Sequence, residues 1–434
     1  MVFTSPKLNS EKTEGRVNWY PYYAGFSRNF VASSVDFLEE NRTTSGALNI
    51  FDPWAGSGTS LCVAAEKGHN AWGLDLNPAM VVVAKARCLS KREKSSLEPI
   101  AKEIISLAKI AVNISSRLSI ENDPLGEWFT RLASIHIRAL ANSIDKLLVD
   151  GQILDNFSIS QRVSHFSDLA SFYYVALFRA AKRFTSSFQG TNPTWLKQPK
   201  DANRINLNLG EVFIQFSKEV EDMIQLLETA PSDLSDLPGA VNVCVGNSTS
   251  PPAFTSQFDA IIGSPPYCTR IDYVMATAIE LSTLGIGKDL RKKLRMTMMG
   301  TPLTSSQPPP DAKWGSTCLR FLEQVRKHSS KAASTYYTNF HISYFSRLYA
   351  SISALSSQIR KDGYFIIVVQ DSTFKGIRND LASIVTEMAE SRDFSSAKES
   401  HFVQSRSMGR INPKSKVWTS ATSLPIESVI ALRR

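Results

Sequence analysis

The sequence lacks the features that would place it in a membrane, secreted or metal-binding class. No run of about 18 apolar residues occurs, so no transmembrane helix is expected. Residues 1–16 are polar and lack the apolar core of a signal peptide. Five cysteines and six histidines are scattered, without a C-x-x-C pair or another metal-ligand spacing. We therefore expect a reducing, cytoplasmic setting and neither a metal nor a membrane as partner.

Positive charge is present in excess, but only in the last third of the chain. The net charge of the 434 residues is +9. Residues 91–240 carry 17 basic and 18 acidic residues, whereas residues 285–345 carry 10 basic and 3 acidic ones, and residues 346–434 carry 13 and 8. This distribution places a polyanion partner, if there is one, against the last third. A charge excess that only keeps the protein in solution is the alternative.

The stretch from Asn49 to Pro78 has the pattern of a nucleoside-binding half-site. A short apolar run typical of a buried parallel strand ends at Asp52, and a turn with Gly56 and Gly58 follows. Glycines let a backbone approach a ligand closely, and a helical pattern after them offers free N–H groups to an anion. A second apolar run carries Asp75 at its end, where a carboxylate accepts hydrogen bonds from a ribose. An ordinary strand-to-helix turn is the alternative.

The other segments are predicted from hydrophobic periodicity. A tail over residues 1–18 is expected to be loose, and we interpret residues 90–238 as a helical insertion. Its four predicted helices cover Leu97–Leu118, Trp128–Leu148, Asp168–Phe188 and Leu209–Leu227. Residues 285–340 read as a basic, loop-rich second insertion. Strands are predicted at Val241–Val245, Phe258–Ile262, Tyr364–Gln370 and Glu427–Leu432, and a helix at His341–Arg360.

Ser264-Pro265-Pro266-Tyr267 follows a predicted strand and forms a second motif with its own chemistry. Two successive prolines fix the backbone and remove two N–H donors, so nearby carbonyls act only as acceptors. Ser264 adds a hydroxyl acceptor and Tyr267 adds a flat ring. Such a set fits a planar group with an exocyclic NH2, which donates both hydrogens while its ring stacks on the tyrosine. Activation of the amine would then depend on positioning and electrostatics.

Together these motifs resemble the amino-methyltransferases that use S-adenosylmethionine, most closely those that modify cytosine N4 or adenine N6 in DNA. DPWAGSGT resembles the glycine-rich cofactor motif, GLDLNP the ribose-binding acidic strand, and SPPY the catalytic tetrapeptide. YPYYAGF resembles the aromatic segment that precedes the cofactor motif. The resemblance implies an α/β Rossmann-like class I methyltransferase fold with a mostly parallel sheet and a C-terminal antiparallel strand. It also implies S-adenosylmethionine as cofactor.

The resemblance implies cofactor-binding and catalytic roles for individual residues. Asp52, Gly56 and Gly58 would hold the methionine moiety, Asp75 the ribose hydroxyls, and Asn247 would lie near the adenine. Ser264 and the carbonyl of Pro265 would accept from the target amine, and Tyr267 would stack on the extruded base. Further cofactor contacts are expected from Tyr23, Phe26, Pro53, Ala55, Ser57, Thr59, Leu76, Asn77 and Ser248, and Pro266 completes the catalytic set.

Double-stranded DNA is the expected substrate, and serine as the first residue of the tetrapeptide favours cytosine N4 over adenine N6. An RNA or protein-glutamine substrate remains an alternative, as does a DNA-binding protein that keeps the fold without activity. Candidate contacts to phosphate are Arg270, Arg291, Lys292, Lys293, Arg295, Arg406 and Arg410. A solvated charged face is the competing interpretation of each basic cluster. The motifs do not distinguish a protein that works with a restriction or defence-system partner from one with a regulatory role.

The order of segments departs from that of the common groups of the family. The large neutral helical block lies between the two motifs, and the basic insertion follows the catalytic one. We therefore divide the chain into two halves of a methyltransferase domain with two insertions. The divisions are the cofactor half at 1–89, the helical insertion at 90–238, the catalytic strand with SPPY at 239–284, the basic insertion at 285–340, and the second half at 341–434.

Overall fold

Most of the chain is described by a computed structural model. It covers residues 2–7, 15–22, 25–43, 45–114, 122–188, 190, 196–229, 239–304, 307, 309–403 and 424–434. Within these residues, no helix combines the length and apolar character needed to cross a membrane. No group of three or more histidine, cysteine, aspartate or glutamate side chains in the same described residues could hold a metal ion.

A seven-stranded sheet with the order β3-β2-β1-β4-β5-β9-β8 lies at the centre of the fold. Every neighbouring pair is parallel except the two that involve β9. The described strands, including a separate hairpin of β6 and β7, are β1 Asn49–Asp52, β2 Asn70–Asp75, β3 Val241–Val245, β4 Phe258–Gly263, β5 Ile359–Gln370, β6 Ser372–Phe374, β7 Ile377–Asn379, β8 Ser395–Val403 and β9 Ile426–Arg433. The predicted Rossmann-like methyltransferase fold, with its C-terminal antiparallel strand, is confirmed.

The strand order reverses between β1 and β4, which pair in parallel through Ile50 with Ala260 and Phe51 with Ile261. Open α/β sheets bind ligands outside the carboxyl ends of the strands at such a reversal. The glycine turn, residues 52–59, follows β1. The double-proline turn, residues 264–267, follows β4. The topology therefore brings the two predicted motifs to the same point of the sheet edge.

The α-helices of the described residues lie on both faces of the sheet and within the segment between β2 and β3. They are α1 Arg28–Asn41, α2 Thr59–Glu66, α3 Pro78–Arg87, α4 Lys94–Ile114, α5 Arg131–Leu148, α6 Gly151–Asn156, α7 Ile159–Ser164, α8 Asp168–Phe184, α9 Leu209–Glu228, α10 Tyr273–Ala276, α11 Ala278–Thr283, α12 Lys288–Thr297, α13 Ser316–Lys327, α14 Thr338–Ser356 and α15 Leu381–Glu390. A π-helical turn at Ala333–Tyr337 precedes α14.

Alternate residues of the central strands face two separate apolar cores. In β5, Ile366 and Val368 point to the core that also contains α3 and the helical segment α4–α9. Phe365 and Ile367 point to the opposite core, which contains α13, α14 and α15. This alternation follows from the two-residue period of a strand. Since both faces of the sheet are covered, the central strands are apolar throughout, as expected of parallel strands.

Several boundaries differ from the sequence expectations. Residues 1–18 are not a loose tail where described, because Phe3 is buried and a 3-10 helix covers Gly15–Trp19. The helix predicted to reach Arg360 ends at Ser356, and Arg360 belongs to β5. The basic insertion is less loop-rich than predicted, since it contains α12 and α13. Strand β8 and the β6–β7 hairpin were not predicted from the sequence.

Candidate cofactor and amine site

Two buried carboxylates organise the glycine turn. Asp52 accepts hydrogen bonds from the backbone N–H of Trp54, at 3.0 Å, and from the hydroxyl of Ser60. Asp75, at the end of β2, accepts from the N–H of Gly56 and from the N–H of Asn77, each at 2.8 Å. The carboxylates therefore bind the backbone on both sides of the turn and fix its shape.

Burial changes the protonation of both acids. It raises the pKa of Asp52 to about 7, with a further rise from the nearby charge of Asp75. Burial likewise raises the pKa of Asp75 to about 6, although its two backbone hydrogen bonds oppose the change. Asp52 is only 1% exposed, whereas Asp75 is half-buried. Asp75 is therefore the more accessible acceptor, and each of its oxygens retains a lone pair for a ligand hydroxyl.

The two glycines of the turn serve different purposes. Gly56 has a φ of +51°, and a Cβ placed there would lie 3.2 Å from the ring of Tyr22. The aromatic segment thus covers the turn at this point, through Tyr22. Gly58 has a φ of +78°, and its Cβ would lie 2.9 Å from the Cβ of Ala84 in α3. Gly58 is therefore needed for the packing of α2 against α3, and its contact with the cofactor stays a prediction.

One buried arginine, which the sequence analysis did not single out, joins the turn to the N-terminal segment. Arg87 donates to the carbonyl of Ser57 at 2.9 Å, and to the carbonyls of Val17 and Tyr20 at 2.9 and 2.8 Å. Burial lowers the pKa of Arg87 to about 10, so the guanidinium stays charged at neutral pH. No local motif marks this residue, because its partners come from distant positions in the chain.

The double-proline turn lies directly against the glycine turn. Gly263 ends β4, and a Cβ placed on it would be 3.1 Å from Oδ1 of Asp52 and 3.0 Å from the ring of Trp54. A side chain at this position would press on Trp54 and Asp52 of the glycine turn, so glycine lets the two turns approach closely. The structure therefore brings the two predicted motifs into contact at the carboxyl edge of the sheet.

Hydrogen bonds set Ser264 and the carbonyl of Pro265 as a pair of acceptors. The hydroxyl of Ser264 donates to the carbonyl of Val368 at 3.0 Å, which directs its lone pairs away from that bond. Its Oγ lies 3.5 Å from the carbonyl oxygen of Pro265. The next carbonyl, of Pro266, accepts from the hydroxyl of Tyr344 at 3.0 Å. Two acceptors at this separation can each take one hydrogen of the same NH2 group.

The ring of Tyr267 is fixed at its hydroxyl. That hydroxyl donates to Oε1 of Glu427 in β9 at 2.6 Å. Burial, together with the charge of Glu427, holds the pKa of Tyr267 well above its usual range, and burial also raises the pKa of Glu427. Tyr267 therefore stays neutral and is held as a rigid aromatic surface beside the acceptor pair. Glu427 was not predicted from the sequence as part of this site.

The loop after β3 lies beside Asp75. The N–H of Gly246 donates to the carbonyl of Asp75 at 2.9 Å, which places Asn247 next to the predicted ribose acid. Oδ1 of Asn247 accepts from the N–H of Thr249 at 3.0 Å. Ser248 is turned away, because its buried hydroxyl bonds to that of Ser351 in α14 at 2.9 Å. Of this pair, Asn247 is the one placed beside the candidate cofactor site.

The remaining predicted cofactor residues are distributed as follows. Asn77 caps α3 by accepting from the N–H of Ala79 at 3.1 Å, so its role in the structure is to start that helix. Phe26 packs on Phe30 with ring centroids 5.1 Å apart. Tyr23 lies outside the described residues. Pro53, Ala55, Ser57 and Thr59 are buried in the glycine turn, and Leu76 follows Asp75 in a half-buried position.

The structure corrects one predicted phosphate contact and limits another. Arg291 is buried, where its guanidinium forms a salt bridge with Glu127 and donates to the hydroxyl of Ser282 at 2.7 Å. Its prediction as a DNA contact is therefore wrong, because the cation is enclosed and already paired. Arg295 pairs with Asp272 at 2.7 Å and is partly exposed.

The other predicted phosphate contacts have different environments. Lys292 and Lys293 lie on the exposed face of α12, and Arg270 is exposed three residues after Tyr267. Arg406 and Arg410 lie outside the described residues. Among the described residues, the predicted contacts with the most exposed cations are therefore Lys292, Lys293 and Arg270.

Comparison with known proteins supports the resemblance to methyltransferases that the two motifs indicate. The type II methyltransferase M.BsoBI of Geobacillus stearothermophilus is 26% identical over 310 residues, which cover 67% of this chain and 57% of that protein. The type II methyltransferase M.AvaI of Anabaena variabilis is 23% identical over 345 residues, covering 73% and 64%. The resemblance to methyltransferases is confirmed. This chain spans somewhat less than two thirds of the length of either relative.

Two further comparisons add little. No protein-family model matches this sequence. The rRNA methyltransferase aviRa from Streptomyces viridochromogenes aligns with 95% of this chain and 87% of its own, at 8% identity and a TM-score of 0.31. A likeness of that size supports no conclusion about fold or substrate.

Proposed function

We propose that this chain is an S-adenosylmethionine-dependent methyltransferase that modifies the exocyclic amino group of a base in double-stranded DNA. The expected product is N4-methylcytosine, with N6-methyladenine as the second choice. The observation that carries the proposal is the close approach of Gly263, which precedes the double-proline turn, to Asp52, which begins the glycine turn. The similarity to M.BsoBI and M.AvaI, both type II methyltransferases, supports the same reaction class.

The residues of the glycine turn fit the proposed cofactor. Asp75 is half-buried and has acceptor capacity left for the two ribose hydroxyls. Asn247 lies beside it, where the adenine would be held, and Tyr22 covers Gly56. Asp52, next to Gly263, would supply negative charge near the methionine end when it is ionised, above its raised pKa of about 7. S-adenosylmethionine supplies an electrophilic methyl group when it is bound.

The double-proline turn fits a conjugated amine. The lone pair of an amino group on a base is delocalised into the ring, which makes the amine a weak nucleophile. Ser264 Oγ and the Pro265 carbonyl, 3.5 Å apart, would each accept one N–H and draw the nitrogen toward tetrahedral geometry. The lone pair is then directed away from both acceptors. The contribution of these residues is positioning and electrostatic preorganisation.

Tyr267 fits the role of a stacking surface for an extruded base. Its ring orientation is fixed by the hydrogen bond to Glu427, so little conformational entropy is lost when a base stacks on it. Unstacking a base from a duplex costs a few kcal/mol, and stacking on a protein aromatic ring offsets about 1–3 kcal/mol. Serine in the tetrapeptide favours cytosine as that base by analogy with the family. The hydrogen-bond chemistry alone does not separate the two bases, because the amino groups of cytosine and adenine each present two hydrogens.

Nucleoside mass spectrometry tests the proposal. DNA, RNA and ribosomal protein are incubated with purified protein and S-adenosylmethionine that carries an isotopically labelled methyl group, and the products are digested and identified. We expect label in N4-methylcytosine of the DNA. Ser264→Ala should lower the rate about 100-fold or more, because one of two aligned acceptors is lost.

The matched control is Ser357→Ala, which removes a hydroxyl from an exposed position at the end of α14. Its rate should equal that of the unaltered protein. Label found only at cytosine C5, in RNA or in protein glutamine would overturn the assignment. Binding of DNA without binding of S-adenosylmethionine would identify a protein that keeps the fold without the activity.

A further inference from the structure

A basic and aromatic cluster lies beside the double-proline turn. It consists of Arg270, Tyr337, Phe374 and Lys375, and we call it the Tyr337 cluster. The guanidinium carbon of Arg270 is 5.2 Å from the centroid of the Tyr337 ring. Nζ of Lys375 is 5.8 Å from the same centroid and 5.7 Å from that of Phe374. The two rings contact each other with centroids 4.9 Å apart, so two cations and two rings form a single unit.

The topology fixes this cluster next to the candidate amine site. Arg270 follows Tyr267 by three residues. Phe374 and Lys375 lie at the tip of the β6–β7 hairpin, which begins just after β5. Strand β5 is also the strand whose Val368 carbonyl accepts from Ser264. Both cations are therefore at the carboxyl edge of the sheet, on the segments that follow the two strands β4 and β5.

Both cations occupy backbone positions that disfavour them. Lys375 and Gly376, with φ values of +47° and +89°, form the two-residue turn of the hairpin. Turns with two positive φ angles prefer asparagine followed by glycine, so lysine is a costly choice at the first position. Arg270 also has a positive φ, +59°. Each left-handed residue costs roughly 1–2 kcal/mol, and such outliers concentrate at functional sites.

Arg270 is the cation of the cluster that lies on an aromatic ring rather than on a carboxylate. Among the described residues, Arg270 makes no salt bridge, and its cation lies over the Tyr337 ring instead. Burial, and then the charge of Arg270, lower the pKa of His341 to about 3, and burial raises the pKa of Cys268. Two cations held against one ring repel each other, and a bound anion would offset that repulsion.

We propose that Arg270 and Lys375 bind phosphate groups of the DNA strand that carries the methylated base. This inference rests on the proposed function, because the anion is assigned from the identity of the substrate. When a base is extruded to stack on Tyr267, the phosphates on either side of its sugar must pass close to the segments that surround that ring. The cluster supplies cations at that place, held in fixed orientation by Tyr337 and Phe374.

The salt dependence of DNA binding tests this proposal. The dissociation constant of a mixed-sequence duplex oligonucleotide is measured at several KCl concentrations for the unaltered protein, Arg270→Asn, Lys375→Asn and the double variant. Asparagine tolerates the left-handed backbone and suits the first position of the hairpin turn, so each variant removes a charge without breaking the fold. The slope of log K against log [KCl] should become shallower by about 0.9 for each variant and by about 1.8 for the pair.

The matched control is Lys109→Gln, which removes one charge from an exposed position on α4. Its slope should equal that of the unaltered protein. Unchanged slopes in Arg270→Asn and Lys375→Asn would overturn the inference, as would an equal change in Lys109→Gln. The proposed function is tested by a separate measurement, the dissociation constant of S-adenosylmethionine without DNA, which none of these variants should alter. An unaltered protein that binds the cofactor but not the duplex overturns both proposals.

Discussion

At the scale of single residues, the candidate cofactor site depends on two carboxyl groups that are hard to ionise. Burial raises the pKa of Asp52 to about 7 and that of Asp75 to about 6. Both values lie within the range of ordinary assay buffers, whereas an exposed aspartate is ionised throughout that range. The protonation state of these two carboxyl groups thus changes between mildly acidic and neutral pH. Each carboxylate also binds backbone N–H groups of the glycine turn, so its charge affects both the ligand and the loop.

The first prediction concerns the pH dependence of cofactor binding. Below the raised pKa values the two groups are neutral, and above them they are carboxylates, which accept from ribose hydroxyls and attract a cation. We therefore expect the dissociation constant of S-adenosylmethionine to fall by about tenfold or more between about pH 5.5 and pH 7.5. Isothermal titration calorimetry in buffers across this range measures it. Asp75→Asn should bind more weakly and show a flatter profile.

Asp168 provides the control for this measurement. Burial also raises its pKa to about 6, but it lies at the start of α8 near Lys85. Asp168→Asn removes a group that titrates in the same range, and it should leave the cofactor profile unchanged.

The free energy of unfolding of the protein without cofactor should change with pH in the direction opposite to cofactor affinity. Between the ordinary and raised pKa values the folded state holds protons that the unfolded chain releases, so stability falls as pH rises. Tighter binding at pH 5.5 than at pH 7.5 would contradict the prediction.

At the scale of elements, the short helix α11 is the connection between the catalytic segment and the helical segment α4–α9. Glu280 of α11 is 1% exposed; it accepts from the hydroxyl of Tyr20 and lies 3.0 Å from Nζ of Lys182. Arg138 of α5 donates to the carbonyls of Ser282 and Thr283 at 2.8 and 2.7 Å. Contacts from the helical segment therefore hold α11 in place, and α11 belongs to the stretch of chain that follows the double-proline turn.

The second prediction follows from the burial of Glu280. Glu280→Gln keeps the shape but removes the negative charge that faces Lys182, whose side chain is 33% exposed. We expect the free energy of unfolding to fall by roughly 1–3 kcal/mol, because the hydrogen bonds from Tyr20 and Lys182 then reach a neutral amide oxygen instead of a buried carboxylate. Urea unfolding followed by circular dichroism measures this. Glu228→Gln is the control, since its pair with Lys94 is about half exposed and should contribute less than about 1 kcal/mol. Equal effects of the two substitutions would contradict the prediction.

Elements with strong local signals were predictable from the sequence, and elements that depend on distant partners were not. Helix α9 starts at Leu209 as predicted, where Asn208 and Glu211 form a capping box. Strand β8 was missed because Ser395–Val403 contains few apolar residues and is defined by its pairing with β9. The hairpin that carries Lys375 was missed because lysine is not a typical residue of its turn.

The same division applies to the candidate site. The glycine turn and the double-proline turn are continuous motifs, so their residue types alone indicated their chemistry. Glu427, which fixes Tyr267, is 160 positions away from it. Arg291 looked like one of several exposed cations in a basic run, and its burial follows from Glu127, 164 positions earlier. Contacts of that separation leave no periodic or compositional signal in a single sequence.

At the scale of the whole molecule, the sheet and the helical segment share an apolar core. Residues of α4, α5, α8 and α9 belong to the same buried cluster as Ile50, Ala260 and Ile366 of the central strands. Lys85 of α3 donates to the carbonyls of Ser164 and Phe166 in the helical segment at 3.0 and 2.9 Å. The helical insertion was defined from sequence as residues 90–238, but its described residues do not form a core of their own.

The third prediction is that the molecule unfolds in one main transition. Since the helical segment and one face of the sheet bury each other, neither should remain folded when the other melts. Differential scanning calorimetry should show a single peak, and saturating S-adenosylmethionine should move the whole peak to higher temperature, by roughly 3 kcal/mol of added stability at 100 times its dissociation constant. Asp75→Asn, with weaker binding, serves as the control for that shift. Two resolved peaks, of which only one responds to the cofactor, would contradict it.

Arg87 has a consequence for how the N-terminal segment behaves. A single guanidinium holds the carbonyl of Ser57 in the glycine turn together with the carbonyls of Val17 and Tyr20. A fluctuation that frees residues 17–20 removes two of the three carbonyls that hold this guanidinium beside the turn. If S-adenosylmethionine binds at the glycine turn, as proposed above, its coupling to the ordering of residues 17–20 through Arg87 is reciprocal, and each strengthens the other by the same factor. Under that proposal the segment is an internal effector of cofactor binding, although it lies about 35 positions before the turn.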